Sequence, residues 1–261
     1  MKKIFLLVAF ALTVSVASAW HKNCNAGVVA LAVKHLTPEA KRVVDKHLGA
    51  AYEDDCGYIY VLERKKKSNF TKEVHYLHLD KDFQPLNVEG DDALVAIEKA
   101  LDVLRTRKSH SDAEVKVALR YVINLMCDIH NLSLIRIESI AHSQSDFAFR
   151  RHLSEYKPNV YKNYKWSTFF TAQSNSYAVF HADLWAEDMD VCHAKHKAEF
   201  TKGELRDWVA ANGAMAAELL SEINPEKIMT LRRYLELDYL NYDMMARAGY
   251  RLAELLNNTI K

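Results

Sequence analysis

Only 7 glycines and 4 prolines punctuate the 261 residues of this chain. So small a supply of turn formers and helix breakers makes long helices the natural way to fold it. The capping chemistry points the same way. Thr37, Pro38 and Glu39 read as an N-cap with proline at the first helical position, and Gly49 closes that helix. Ser111 to Glu114 is a capping box, opening a helix with Val115, Leu119, Val122, Ile123, Met126 and Ile129 on one face. Thr201 to Glu204 reads as a second box, before Leu205, Trp208, Val209, Ala216, Leu219 and Leu220. Asn224-Pro225 is expected to start another helix, and Met244 to Leu256 to form the last. The β-like stretches are Tyr58 to Leu62 and Val74 to Leu79, while Leu132 to Tyr177 is irregular and rich in aromatic residues. The expectation is an all-α fold with short β-like segments and no internal repeat.

The first residues predict a secretory leader. Met1-Lys2-Lys3 is a basic start, Ile4 to Val16 an apolar run, and Ala17-Ser18-Ala19 a small-residue cleavage site. Residues 1–19 are then the signal peptide, 20–261 the mature domain, and the protein is expected to be secreted or periplasmic. With Lys2 and Lys3 gone, 35 basic residues become 33 against 34 acidic ones. Such a balance gives no electrostatic footprint for duplex nucleic acid. No second apolar run is long enough to span a bilayer, so no membrane partner is expected after cleavage. An oxidising compartment makes disulfides among the 4 cysteines plausible.

Cleavage after Ala19 leaves Trp20 at the N-terminus, where a free α-amino group and carbonyl can chelate a metal. The mature chain begins Trp20-His21-Lys22-Asn23-Cys24-Asn25 and continues to His35-Leu36-Thr37-Pro38. Further on come His75-Tyr76-Leu77-His78, then Asn124 to Leu134 with Cys127-Asp128-Ile129-His130 at its centre. Ser143 to Asp146, Tyr161 to Ser167, Trp208 to Asn212 and Ala248-Gly249-Tyr250-Arg251-Leu252-Ala253 complete the series. In this order and spacing the chain resembles the S1/P1 nucleases, zinc-dependent enzymes that hydrolyse single-stranded nucleic acid and 3′-nucleotides.

The resemblance implies a helical fold and a cluster of zinc ions, but most implied ligands are replaced. Trp20, His75 and Asp128 keep a donor. Asn25, Leu62, Asn124, Leu134, Asn163 and Ser167 stand where the family has its other ligands. Zinc takes imidazole, thiolate and charged oxygen donors, so these residues do not substitute for them. One implied site, at Leu134, Asn163 and Ser167, is lost completely, and the remainder meets at Asp128. Asparagine at former histidine positions suggests a cavity repacked as a polar network. His75 with Asp128 reads either as a hydrogen-bonded structural pair or as a centre for one weakly held ion. Asp128 is the candidate catalytic residue if any catalysis remains.

The resemblance also places Cys24 and Cys127 where the family has glycines beside its metal ligands, and on that ground a Cys24–Cys127 disulfide is expected, with Cys56 and Cys192 as a second pair. Tyr76 and Trp166, with Tyr161 and Tyr164 near them, are candidates for stacking a nucleobase. His193 and His196 read as a surface pair, and Arg64 to Lys67 as a solvated basic loop. The reading that follows is a family member with its hydrolysis lost or strongly reduced, retaining a binding role for single-stranded nucleic acid or nucleotide. The rivals are an active phosphodiesterase with a reduced metal centre, and a structural or cell-surface interaction protein.

Overall fold

The computed structural model describes residues 20, 22–49, 72–86, 88, 92–154, 156–157, 159–174 and 181–261. The leader, Tyr58 to Leu62, Arg64 to Lys67 and Cys56 lie outside the described residues. What is described is mostly helical, with two small sheets. The helices are α1 (Lys22–Lys34), α2 (Pro38–Leu48), α3 (Ala93–Arg105), α4 (Asp112–Asp128), α5 (Phe169–Ser174), α6 (Ala182–His193), α7 (Lys197–Phe200), α8 (Leu205–Glu222) and α9 (Leu231–Thr259). The strands are β1 (Leu77–Leu79), β2 (Ile135–Ile137), β3 (Ala148–His152), β4 (Tyr161–Lys165) and β5 (Ile228–Met229). No described helix is long and apolar enough to cross a membrane.

The caps explain where several helices start. Thr37 Oγ1 accepts from Ala40 N, Pro38 opens α2, and Gly49 ends it at φ 79°, a left-handed angle that glycine adopts without a steric penalty. Ser111 and Glu114 cap α4 reciprocally, and the expected apolar face of that helix is buried throughout. Asp92 accepts from Leu94 N and Val95 N at the start of α3, and its second oxygen accepts from His78 N on β1.

Three local expectations need correction. The box before α8 lies three residues later than expected: Asp207 accepts from the N–H of Glu204, which is the cap residue. Thr201 is engaged elsewhere, its hydroxyl donating to Lys197 O at the end of α7. Asn224-Pro225 makes a turn, not a helix start, because Asn224 Oδ1 accepts from Glu226 N and Lys227 N. The last helix begins instead at Leu231, with Thr230 capping Arg233 N, and it runs unbroken through Met244 to Leu256, which were expected as a separate helix. Within Val74 to Leu79, a short 3₁₀ turn ends at His75 and only Leu77–Leu79 is strand.

A continuous apolar core runs through the helices. α1 lies against α6 and α9, and glycine makes both approaches close. A Cβ at Gly27 would sit 2.0 Å from Trp185 Cδ1, and one at Gly249 2.7 Å from Leu31 Cδ2. α3 packs along α4, and the C-terminal half of α4 is buried on every side. β1 and β2 pair in parallel, with β2 against α8. The region from 132 to 174, expected to be irregular, contains an antiparallel hairpin, β3–β4, whose β3 also pairs in parallel with β5.

Candidate functional site

Two polar groups sit at the C-terminal end of α4, where its last carbonyls carry partial negative charge. The first contains the residues singled out from sequence. Asp128 is the final residue of α4, and His75 ends the 3₁₀ turn before β1. His75 Nδ1 lies 2.8 Å from Asp128 Oδ2, and both residues are 3% exposed. Residues 53 apart in sequence are thus joined in a buried imidazole–carboxylate hydrogen bond.

Of the other implied ligand positions, Asn25 lies on α1, Asn124 on α4, Asn163 on β4, and Leu134 and Ser167 in 3₁₀ turns. Asn124 is buried one turn back on α4, and its amide donates to Arg120 O along its own helix. Asn25 is buried on α1, which packs against α4. The Trp20 indole is buried and donates to Asn241 Oδ1 at 2.7 Å. Leu134 is wholly buried in a 3₁₀ turn that adjoins the turn holding Ser167. Ser167 N donates to Asp146 Oδ1 at 3.0 Å. Asn163 stands exposed on β4. Leu62 lies outside the described residues.

The donor set therefore does not fit the zinc cluster that the resemblance implies. Amide, hydroxyl and alkyl side chains fill most of its positions, and zinc requires imidazole, thiolate or carboxylate. Among the described residues no group of three or more histidine, cysteine or acidic side chains is arranged to hold a metal ion.

Several predicted site residues take other surroundings in the structure. Cys24 and Cys127 are both fully buried, and no disulfide joins them. In an apolar core a thiol packs as a small hydrophobic side chain. Trp166 is no stacking platform, because its faces are filled from within: Phe147 lies 5.8 Å away at 16° and Phe169 6.2 Å away at 13°. Tyr76 is buried under the Arg136 guanidinium, 3.8 Å from its ring centre. His193 is not a surface residue. It is buried, with Nε2 2.7 Å from Asp243 Oδ1, while the half-buried His196 stacks on Phe200.

The second polar group was not foreseen as a unit. His130 Nδ1 donates to Met126 O at 2.7 Å, and His130 Nε2 accepts from Arg251 Nη1 at 2.9 Å. Arg251 also donates to Phe200 O and approaches Asn212 Oδ1 at 3.3 Å, and Asn212 donates to Ile129 O. Four helices, α4, α7, α8 and α9, are tied together by these bonds. Burial, with the charges of Arg251 and Arg247, holds His130 well below the usual histidine range, so it is neutral at neutral pH. Burial, with Arg247 beside it, likewise brings Arg251 down to about 9. The sequence does carry a signal for this network: Asn212 follows Trp208 and Val209 at helical spacing, a polar side chain on an apolar face.

Neither a protein-family model nor a curated protein matches this chain.

Proposed function

We propose that the chain is a secreted helical protein of the S1/P1 nuclease type whose zinc-dependent hydrolysis has been lost. It acts through binding of single-stranded nucleic acid or nucleotide. The binding role rests on the resemblance alone, and the observation that carries the loss of hydrolysis is the His75–Asp128 hydrogen bond. It occupies the positions where the resemblance puts metal ligands, and it supplies two donors where metal catalysis of phosphodiester hydrolysis needs a full, open coordination sphere. Asn124, an amide where the resemblance puts an imidazole, and Leu134, an alkyl side chain buried in the core, support the same reading. A second reading, a structural or interaction protein, is favoured by the burial of both members of the pair.

Hydrolysis and retention of single-stranded DNA by the purified protein separate these readings. The proposal expects cleavage at background with or without added zinc, together with measurable retention of the oligonucleotide. Zinc-dependent cleavage abolished by Asp128→Ala would overturn it and favour a reduced metal centre. Absence of both cleavage and retention would favour the interaction protein.

A further inference from the structure

The β3–β4 hairpin is anchored at one end and unusual at the other. Its inward face is packed. Phe149 meets Tyr164 and Phe169, and Tyr164 meets Tyr234. The Arg151 guanidinium lies 3.9 Å from the Tyr234 ring centre and donates to Tyr164 Oη. The last paired residues are His152 and Tyr161. Beyond them Leu153 N donates to Val160 O and Val160 N donates to Lys157 O, which closes the turn.

This turn exposes apolar surface. Tyr156 is 95% exposed, Leu153 42%, Val160 41% and Tyr161 37%. The exposed large hydrophobic side chains of the described helices are spread over α4, α6 and α9, whereas these four fall within residues 153–161. A cluster of this kind, rimmed by polar groups, marks a contact surface. The rim is cationic. Arg150, Lys157 and Lys162 are exposed, and the Arg150 guanidinium stands 5.5 Å from the Tyr161 ring centre. Residues 147–166 carry Arg150, Arg151, Lys157, Lys162 and Lys165 against the single acid Glu155, in a chain whose 35 basic and 34 acidic residues otherwise balance.

We propose that the hairpin tip docks the protein on the surface of an anionic lipid bilayer, without crossing it. Leu153 and Val160 enter the boundary of the acyl region. Tyr156 and Tyr161 lie at headgroup level, where the tyrosine ring finds both an apolar and a polar neighbour. Arg150, Lys157 and Lys162 meet the lipid phosphates, their stems lying along the apolar boundary. Lys165 is four strand residues behind Tyr161, roughly 14 Å back at the rise of a strand, and stays out of contact. A single nucleic-acid strand is recognised by rings and cations and gives leucine and valine at the tip no role, so the apolar pair decides for lipid. The inference is independent of whether the helical core binds a nucleotide.

Sedimentation with vesicles tests it. The protein should partition onto phosphatidylcholine vesicles containing phosphatidylglycerol and much less onto phosphatidylcholine alone. Arg150→Ala with Lys162→Ala should weaken partitioning about 30-fold, at roughly fivefold per cation near an anionic surface. Leu153→Ser with Val160→Ser should abolish it, and Tyr156→Ser should weaken it without touching the fold, since that ring is solvated. Circular dichroism confirms that the double variants remain folded. Lys165→Ala should leave partitioning unchanged. Failure of the parent protein to partition, or equal partitioning of parent and tip variants, would overturn the proposal. So would retention of a single-stranded oligonucleotide that depends on Arg150 and Lys162 but not on Leu153 and Val160.

Discussion

The two polar groups at the end of α4 are neighbours in sequence and opposites in design. His130, two residues beyond Asp128, enters a network of one guanidinium, one imidazole and one amide whose remaining partners are main-chain carbonyls. Among its named members there is no carboxylate, and the negative end of α4 supplies the compensating field. Asp128 and His75 form a compact acid–imidazole pair that joins one helix to one turn. The first arrangement is extended and ties helices together, which is what a structural network does. The second brings together two groups able to hold a proton or share a metal, in a place where the family resemblance expects chemistry. Both groups are architectural by their burial and bonding, the first spread over four helices and the second confined to one helix and one turn.

The largest effect should come from Arg251→Ala. It leaves His130 Nε2, Asn212 Oδ1 and Phe200 O without their buried donor, at a cost of about 3–5 kcal/mol by analogy with broken buried ion pairs. Chemical denaturation measures it. A cost below that of a surface substitution would mean that the network does not hold the helices. Asp128→Asn removes the charge while keeping the volume, and should cost about 1–3 kcal/mol, the range for a buried hydrogen bond lost or weakened. If Asp128 is architectural, stability falls and metal affinity does not change. Were metal binding to fall with little loss of stability, the contrast between the two groups would reverse in meaning.

Much of this was legible in the sequence where a single local rule applied. The α4 box and apolar face, the cap and glycine of α2 and the buried face of α8 all follow from spacing. His75 and Asp128 were paired through the resemblance, and they do meet. The hairpin was not legible because its inward face breaks the alternation expected of a strand: Arg151 points inward, where Tyr164 and Tyr234 cover its guanidinium. Thr201 and Asn224 misled for a related reason. Each carries a side chain able to cap a helix, and each uses it on a preceding carbonyl or a tight turn. Short-range signals fix which bonds a side chain can make, whereas tertiary packing selects among them. For the Arg251 network, local spacing marks Asn212 as a polar residue on an apolar face, but its partners are set by four helices meeting.

The smallest effect belongs to a third, partly exposed group, which sets the lower end of the comparison. Asp190 accepts from His35 Nε2, Tyr250 Oη and Lys34 Nζ. Burial pushes its pKa up, but the bonds from His35, Tyr250 and Lys34 outweigh this and leave it below the usual carboxylate value. A lowered folded pKa contributes stability that is fully present above the unfolded value, about 4, and is lost as pH falls through the folded one. Acid denaturation of the parent and of Asp190→Asn should therefore differ at neutral pH and converge at low pH. A difference that persists undiminished in acid would show that Asp190 acts through packing alone.

That His75 and Asp128 form a structural pair and not the residue of a working zinc cluster is tested most directly by elemental analysis of the purified protein. The account predicts substoichiometric zinc, unchanged by Asp128→Asn. A full complement of tightly held zinc that falls on this substitution would contradict it, and would show that donors outside the positions considered complete the site.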